Sequence, residues 1–458
     1  MIDFSSFQIQ NPWRSDLFLP EKSFRRNLLS SVQAWLDDPD IIVVIGSRQV
    51  GKTTLLFQLI EQLISSGLDQ RDVFYFNLDD PILLESLKSP VEFLEFIELN
   101  RKNRAYVFID EVQRLENPGL FLKYIYDLKR DLKLIVTGSS SLEIRAKITE
   151  SLTGRKKLFQ LFPFDFSEFV TAKWKAAPEI CEKLEVSKKG GFMEMLAAFK
   201  AIYHSTIDNL LAEYLVYGGY PRVVLEPNPE RKIIHLREIF TSYMQKDVKD
   251  FFRIENTTGY NNLIKVLSQQ IGNLVNISEL SNTLGLHKAT IEKYINILEG
   301  TFMFQRLTPF YKNVRREISK MPKIFAMDLG MRNFAAGNFN EITHRGDRGE
   351  MAENFVFTEL KRIIEMPAKI HFWRTQAKAE VDLIVELPDK IIPAEVKFSA
   401  MRSPKVSRSF KSFITTYQPD NGLLFTKEYI GQSQENKTRV LFMPLWSFLF
   451  NLSQPGLL

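Results

Sequence analysis

The sequence predicts an α/β protein of several domains, in which a five-stranded parallel sheet comes first and helical and mixed segments follow. Two observations predict this class. Between about residues 27 and 166, short apolar runs rich in β-formers alternate with helical stretches, as a sheet covered by helices requires. The chain also has 458 residues, which is enough for about two to four domains of ordinary size.

Each predicted strand is a run of four to six almost wholly apolar residues, typical of a parallel strand that is buried on both faces. The five runs are 41–45, 73–78, 106–109, 134–137 and 158–162. After residue 170 the pattern becomes helical up to about residue 275. From residue 349 to 387 a helix precedes a pair of strands.

Composition excludes several classes of protein. Hydrophobic residues make up 45% and charged residues 25%, which are ordinary proportions for a folded protein. A single cysteine and five scattered histidines exclude a disulfide scaffold and a zinc module. No signal peptide pattern and no apolar run of about 18 residues is present, so we expect a cytoplasmic protein without a membrane contact. The net charge of +5 is too small to establish a polyanionic partner by itself.

A phosphate-binding loop directly follows the first predicted strand. Its residues are Gly46, Ser47, Arg48, Gln49, Val50, Gly51, Lys52 and Thr53, and a helical run begins at Thr54. The two glycines permit backbone angles barred to other residues, so that N–H groups converge on a β-phosphate at the helix N-terminus. Lys52 would reach the β- and γ-phosphates, and the Thr53 hydroxyl would bind Mg²⁺. A strand before the loop and a helix after it make a glycine-rich turn without a ligand the lesser alternative.

Two acids, Asp110 and Glu111, end the third predicted strand, at the sheet edge where ligands bind in open α/β proteins. Asp110 would hold Mg²⁺, and Glu111 would orient and deprotonate the attacking water. Because Asp-Glu is also a common strand end, this assignment depends on the phosphate loop. Ser139, in the polar run after the fourth strand, would sense the γ-phosphate at the same edge.

Arg155 immediately precedes the fifth predicted strand, and two interpretations of it have equal weight. It would be an arginine finger that projects into the site of a neighbouring subunit, which implies a homo-oligomer. Alternatively, it belongs to a solvated basic cluster with Lys156 and Lys157.

Taken together, the motifs resemble the predicted AAA+-type ATPases of bacteria and archaea, in which a C-terminal domain of unknown function related to PD-(D/E)XK nucleases follows the ATPase. The resemblance spans about residues 38–398 and is carried by GSRQVGKT, YVFIDEVQ, VTGSSS, LTGR with LFPFDFSEF, and YLVYGGYPRVV. It implies that ATP binds a five-stranded core with a helical lid, and that Gly219, Tyr220 and Pro221 lie near the adenine. A simple turn between helices also explains these residues.

A helix-turn-helix pattern begins at residue 276, with a glycine turn at Gly285. Its second helix would direct Lys288, Thr290 and Lys293 toward DNA. A basic stretch that resembles the wing of a winged helix follows, and its cations are Arg306, Lys312, Arg315, Arg316, Lys320 and Lys323. Such cations would make salt-sensitive phosphate contacts. A winged helix that serves only as an interaction scaffold is the alternative.

Two carboxylates on the last predicted strand pair suggest a nuclease site. Glu395 and Lys397 share one strand face and would meet Asp382 across the hairpin. Two carboxylates can hold a divalent metal, while the lysine orients water. The nuclease-like family has a further acid on the preceding helix, and Glu353 matches it. Since acid-x-lysine triplets occur elsewhere in this chain, the prediction depends on the paired strands and on the resemblance.

These segments predict four domains: an ATPase core at 1–170, a helical lid with connecting helices at 171–275, a winged helix-turn-helix at 276–330 and a PD-(D/E)XK-like α/β domain at 331–458. We expect first an ATP-hydrolysing protein that binds DNA, with nucleotide state controlling DNA engagement. The second alternative is an ATP-gated, metal-dependent endonuclease. The third is a nucleotide-controlled protein-interaction switch without a nucleic-acid role.

Overall fold

A computed structural model describes residues 2–15, 23–139, 152–186, 191–310, 321–364, 367–450 and 452. The chain forms two compact units. The N-terminal unit is Met1–Phe162 with Gly300–Phe302, and the C-terminal unit is Pro163–Glu299 with Met303–Leu458. Three of the four predicted domains fall almost wholly within the C-terminal unit.

The N-terminal unit contains the predicted five-stranded parallel sheet. Its strands are β1 (Ile41–Gly46), β2 (Val73–Asn77), β3 (Ala105–Asp110), β4 (Leu132–Ser139) and β5 (Lys156–Gln160). They lie in the order β2-β3-β4-β1-β5, and every pairing is parallel. All five predicted strands are confirmed. The fifth begins two residues earlier than predicted, because β5 is an edge strand that need not be buried on both faces and therefore accepts Lys156 and Lys157.

Six helices accompany this sheet in the described residues: α1 (Phe4–Gln10), α2 (Leu28–Gln33), α3 (Lys52–Ser65), α4 (Pro81–Ser86), α5 (Pro90–Asn100) and α6 (Pro118–Asp127). Asp80 and Ser89 cap α4 and α5 with their side chains, and proline follows each cap, as helix starts favour. Apolar side chains of the sheet and helices form one buried cluster. The packed sheet leaves the carboxyl ends of β1, β4 and β3 side by side.

The first part of the C-terminal unit is helical, as predicted. Its helices are α7 (Phe166–Lys173), α8 (Ala177–Val186), α9 (Phe192–Tyr217), α10 (Pro221–Leu225), α11 (Pro229–Ser242) and α12 (Thr257–Gln269). A π-helical segment, Tyr243–Phe251, connects α11 to α12. No helix in the described part of the chain is both long and apolar enough to cross a membrane.

The predicted helix-turn-helix consists of α13 (Ile277–Leu284) and α14 (Lys288–Gly300). Gly285 ends α13 with a φ of 63°, in the left-handed region that favours glycine at this position. Two antiparallel strands follow, β6 (Phe304–Leu307) and β7 (Lys323–Ala326). An isolated bridge pairs Leu274, before α13, with Lys323 of β7.

The C-terminal sheet has six strands: β8 (Lys369–Arg374), β9 (Glu380–Glu386), β10 (Ile391–Lys397), β11 (Asn421–Thr426), β12 (Gly431–Glu435) and β13 (Thr438–Pro444). Their order is β12-β13-β11-β10-β9-β8, with both parallel and antiparallel pairs. The accompanying helices are α15 (Leu329–Ala336), α16 (Arg348–Ile363) and α17 (Arg408–Tyr417). The helix followed by a strand pair is as predicted, and the β9–β10 hairpin carries the predicted acids.

Candidate functional site

The predicted phosphate loop connects the end of β1 to the start of α3. A Cβ atom on Gly46 would lie 2.3 Å from the carbonyl oxygen of Leu161, so a larger residue does not fit there. Gly51 has a φ of 97° and forms the N-cap of α3. Because Gly51 has no side chain, it cannot cap the backbone N–H groups of the first turn of α3. Such groups are suited to an anion.

Lys52, the first residue of α3, is buried against this loop with 5% of its surface exposed. Its Nζ donates hydrogen bonds of 3.2 Å to the carbonyl oxygens of Gly46 and Ser47, and it lies 3.8 Å from Oε1 of Glu111. A phosphate oxygen that enters the loop would replace these carbonyl acceptors with a charged one. The lysine is therefore positioned for the predicted phosphate contact.

The structure brings Thr53 and Asp110 together at the same edge of the sheet. The Thr53 hydroxyl donates to Oδ2 of Asp110 at 2.6 Å, and the Tyr75 hydroxyl donates to the same oxygen at 3.0 Å. Thr137 donates to the other carboxylate oxygen. Burial, together with the Asp110 carboxylate, raises the pKa of Tyr75 well above its ordinary value, so this phenol remains a donor. Adjacent hydroxyl and carboxylate oxygens fit the ligand preference of Mg²⁺.

Glu111 follows β3 in the left-handed region, with a φ of 58°, which is uncommon for a residue other than glycine. Its N–H donates to the Thr137 hydroxyl at 3.1 Å. Nε2 of Gln113 donates to Oε2 of Glu111 and also to Oγ of Ser139, the latter at 3.0 Å. Ser139 itself pairs with Gly46 in the register of β4 and β1. Gln113 therefore connects the predicted base to the predicted γ-phosphate sensor.

Sequence reasoning did not identify Gln113, Tyr75 or Arg26 as parts of this site. Gln113 stands in the quoted segment YVFIDEVQ, but nothing local indicated its contacts. The guanidinium of Arg26, which is 5% exposed, donates to the carbonyl oxygens of Val50 at 2.7 Å and Phe162 at 2.8 Å. It therefore ties the phosphate loop to the segment after β5, through contacts between residues far apart in the chain.

Arg155 lies beside the start of β1, where its carbonyl oxygen accepts the N–H of Ile41, whereas the phosphate loop follows the end of the same strand. At about 3.3 Å per residue, β1 separates the two by roughly 17 Å. The Arg155 guanidinium forms a 2.9 Å ion pair with Asp127. An arginine-finger role therefore requires a second subunit, and both interpretations of this residue stay predictions.

Pro221 begins α10 in the C-terminal unit, and the two glycines before it have a packing role. Gly218 has a φ of 74°, and a Cβ on Gly219 would lie 2.2 Å from the carbonyl oxygen of Phe164. The Gly219 N–H donates to Asp328 at 2.8 Å. These contacts support the turn between helices, and the role of Pro221 near an adenine stays a prediction.

The second helix of the helix-turn-helix exposes Lys288 and Lys293 and partly exposes Thr290, as predicted. Its inward residues are also as predicted, and they are Ile291, Tyr294, Ile295 and Leu298. Contact with DNA stays a prediction for these residues. Arg315 and Arg316 lie outside the described residues, as do Lys312 and Lys320.

Two cations of the predicted basic wing are paired with acids of the protein, Arg306 at a partly exposed position and Lys323 at a buried one. Arg306 pairs with Glu299 at 2.6 Å and with Glu292 at 3.0 Å. Lys323 is 3% exposed and pairs with two acids of the C-terminal sheet region. Counting charges along the sequence missed these pairs, because the acids approach only in the folded chain.

The predicted hairpin acids lie on neighbouring antiparallel strands, Asp382 on β9 and Glu395 on β10. Oδ2 of Asp382 accepts the N–H of Val396 at 2.8 Å. Oε1 of Glu395 lies 2.6 Å from Nζ of Lys397, and Oε2 of Glu395 accepts the hydroxyl of Ser407 at 2.8 Å. Both carboxylate oxygens of Glu395 thus have partners from the protein.

A lysine ammonium also occupies the acidic cluster around Glu353. Nζ of Lys323 lies 2.8 Å from Glu353 and 2.6 Å from Glu380. Burial and the charge of Asp382 raise the pKa of Glu353 to about 8, although Lys323 opposes this shift. In the described part of the chain, no group of three or more His, Cys, Asp or Glu side chains is placed to hold a metal. Lys323 pairs with Glu353 and Lys397 pairs with Glu395 in this arrangement, and a metal role for Asp382, Glu395 and Glu353 stays a prediction.

Comparisons with known proteins agree with the N-terminal site. Residues 38–170 match the family model of an AAA domain. Residues 208–341 and 348–448 match two domains of unknown function, DUF8612 and DUF4143. This match supports a P-loop ATPase domain over residues 38–170, as the resemblance implied. The relation of the C-terminal part to nucleases stays a prediction.

Three similar proteins are each named only as uncharacterized. The chain is 25% identical over 432 residues to an uncharacterized protein of Haemophilus influenzae, covering 92% of this chain and 98% of that protein. It is 25% identical over 350 residues to an uncharacterized protein of Methanocaldococcus jannaschii, covering 75% and 72%. It is 24% identical over 400 residues to an uncharacterized protein of Mycobacterium tuberculosis, covering 86% and 78%.

Solved structures with some similarity include the Aeropyrum pernix Orc1 protein in complex with DNA, at 12% identity and a TM-score of 0.30, covering 70% of this chain and 94% of that one. Another is a DNA polymerase III gamma subunit-related protein from Thermotoga maritima, at 14% identity and a TM-score of 0.26, covering 60% and 99%.

Proposed function

We propose that this protein binds ATP with Mg²⁺, hydrolyses it in the N-terminal unit, and uses its nucleotide state to control how the C-terminal unit engages DNA. One observation carries the enzymatic part. The ammonium of Lys52, the paired oxygens of Thr53 and Asp110, and the carboxylate of Glu111 lie together beside a glycine loop. These are the groups that phosphoryl transfer to water requires.

Each group has a distinct task in this mechanism. The N–H groups of the loop and Lys52 hold the β- and γ-phosphates, so that charge developing during transfer is neutralised. Bound Mg²⁺, held by Thr53 and Asp110, would supply further positive charge at the phosphates. Glu111 orients the attacking water and accepts its proton. Ser139 lies next to the loop and reports the γ-phosphate to Glu111 through Gln113.

Several features of the C-terminal unit support DNA as its partner. The helix-turn-helix has an exposed second helix with Lys288, Thr290 and Lys293, which suits a DNA groove and its phosphates. The antiparallel strands after it, together with the bridge from Leu274, have the arrangement expected of a winged helix. Arg315 and Arg316 would add phosphate contacts from the connection between these strands. A homo-oligomer that contacts through Arg155 would complete the ATPase.

The endonuclease alternative has one observation in its favour, since Asp382 accepts the N–H of Val396, the residue between Glu395 and Lys397 on the neighbouring strand. Against it, Lys323 already neutralises Glu353, and Lys397 together with Ser407 takes up both oxygens of Glu395. The C-terminal unit is therefore better suited to binding DNA than to cutting it. Incubating the wild type with duplex DNA and Mn²⁺ tests this, and specific nicking that Glu395→Ala abolishes would reverse the preference.

The central experiment measures ATP binding and hydrolysis by the wild type and two variants. Lys52→Ala should abolish nucleotide binding, whereas Glu111→Gln should bind ATP and hydrolyse it slowly. Lys88→Ala, which removes an exposed lysine of the same unit, serves as the control and should resemble the wild type. Hydrolysis at the wild-type rate by both site variants would contradict the assignment. Stimulation of turnover by DNA tests the proposed coupling.

A further inference from the structure

The segment that connects β10 to α17 carries an unusual concentration of positive charge. Residues 397–408, KFSAMRSPKVSR, include four cations and no acid. The cations are Lys397, Arg402, Lys405 and Arg408. Neither the family comparisons nor the wing prediction assigns this segment a role. We call it the basic loop.

The basic loop is held in place by its apolar residues. Val406 belongs to the buried cluster of the C-terminal sheet, and Met401 packs against the same cluster. Ser407 caps α17 by accepting the N–H of Phe410 at 3.1 Å. The anchored residues leave the side chains of Arg402, Lys405 and Arg408 exposed. The positive charges are thus presented by a supported backbone, which lowers the entropy lost when a ligand binds.

A cavity of about 350 Å³ opens beside this loop. Its polar lining consists of Lys397, Ser399, Arg402, Ser403, Lys405 and Ser407. Three cations and three hydroxyl groups are donors that suit phosphate oxygens. None of the lining residues is acidic or aromatic. The absence of an aromatic side chain on which a base would stack favours a sugar-phosphate backbone over a free nucleotide.

The charges of this loop differ in how far the protein already neutralises them. Lys397 is paired with Glu395, and the attraction of this carboxylate outweighs the effect of burial and raises the pKa of the lysine. Arg402, Lys405 and Arg408 form no ion pair within the described part of the chain, whereas the nearby Lys411 pairs with Glu435. Three positive charges therefore remain for an external anion.

The geometry points to a DNA contact: we propose that the basic loop and its cavity hold the phosphodiester backbone of DNA. The proposal rests on the DNA-binding function proposed above, and it names the surface of the C-terminal unit that provides it. Because Lys397 and Ser407 line the cavity and also contact Glu395, a bound backbone would lie next to the β9–β10 hairpin.

The test compares the salt dependence of DNA binding by three variants of the full chain, measured by fluorescence anisotropy with a labelled duplex. In the first, Arg402→Gln, Lys405→Gln and Arg408→Gln are combined. Each lost phosphate contact should lower the slope of log K against log salt by about one, so this variant should lose about three units. In the second, the exposed lysines Lys265, Lys369 and Lys437 are changed to Gln. It loses the same charge elsewhere and should keep the wild-type slope.

The third variant exchanges arginine and lysine within the loop, as Arg402→Lys, Lys405→Arg and Arg408→Lys, and should bind within about threefold of the wild type if charge is what DNA contacts. Equal losses in the loop variant and the lysine control would overturn the inference and leave the DNA function standing. A wild type that binds no DNA at low salt would overturn both. ATP turnover is measured on every variant, and its failure in the wild type would refute only the ATPase.

Discussion

Replacing Gln113 with alanine should slow ATP hydrolysis about 10- to 100-fold while ATP affinity stays near the wild-type value. Gln113 holds the carboxylate of Glu111, and it contacts Ser139 at 3.0 Å. A hydrogen bond to a charged group contributes about 1.5–3 kcal/mol, and each 1.36 kcal/mol changes a rate about tenfold. Without Gln113, Glu111 would keep its Lys52 contact at 3.8 Å and lose the bond that orients it toward water.

The assay separates kcat from KM and measures nucleotide affinity independently with a fluorescent ATP analogue. Gln113→Glu provides a charge test, because a second carboxylate beside Glu111 raises the pKa of the pair. The acid limb of the pH–rate profile should therefore move to higher pH, an effect that a purely structural role would not produce. Gln62→Ala, on α3 of the same unit, is the control and should leave all values unchanged.

Ser139→Ala completes a double-mutant cycle with Gln113→Ala. If the two side chains act as one unit, the double variant should lose less than the sum of the single losses. The reasoning would be refuted by wild-type turnover in Gln113→Ala. Loss of ATP affinity equal to the loss of turnover would refute it as well, since that pattern indicates collapse of the loop.

Other predictions concern the remaining ion pairs. If Arg155 is an arginine finger, Arg155→Ala should retain ATP affinity and lose turnover, and wild-type activity per subunit should rise with protein concentration. A strictly monomeric protein with concentration-independent hydrolysis would exclude the finger role. Lys323→Ala should lower the free energy of unfolding by about 3–5 kcal/mol in urea titrations, because it leaves buried acids without their cation; an unchanged midpoint would contradict the pairing. Although burial of the carboxyl would raise the pKa of Asp347, hydrogen bonds from Arg345 and Arg332 lower this pKa from 3.8 to about 2. The stabilising contribution of the charged carboxylate is therefore present above pH 4 and is lost as pH falls through 2. Because solvent screens this partly exposed carboxylate, Asp347→Asn should cost about 1 kcal/mol in urea titrations at pH 7 and almost nothing near pH 2. An equal cost at both pH values would count against the charge.

The central sheet was predictable because its signal is local. A strand buried on both faces must be apolar along its whole length, and three such runs became the interior strands β3, β4 and β1 of the N-terminal sheet. The fifth strand was predicted at 158–162, whereas the structure has it at Lys156–Gln160. It includes two lysines because an edge strand has only one neighbour and tolerates charge. Local composition does not reveal which strand will lie at the edge.

The identity of the phosphate loop was determined by the sequence itself. Gly51 is favoured by its local backbone conformation, with a φ of 97°, whereas Gly46 is also required by the carbonyl oxygen of Leu161, which comes from a distant part of the chain. The loop motif was therefore enough to predict phosphate-binding roles for Lys52 and Thr53. The order of strands in the sheet then brought Asp110 to the Thr53 hydroxyl.

Only the tertiary structure decided which charges remain available to a ligand. Arg306 and Lys323 counted as wing cations in the sequence, yet each lies against acids that folding brings to it, and Lys323 meets Glu353 from 30 positions away. The basic loop shows the opposite outcome, because Arg402 and Lys405 form no ion pair in the described residues and line a cavity. The physical reason is that a charge interacts through space over a few ångströms, whereas the sequence records only separation along the chain.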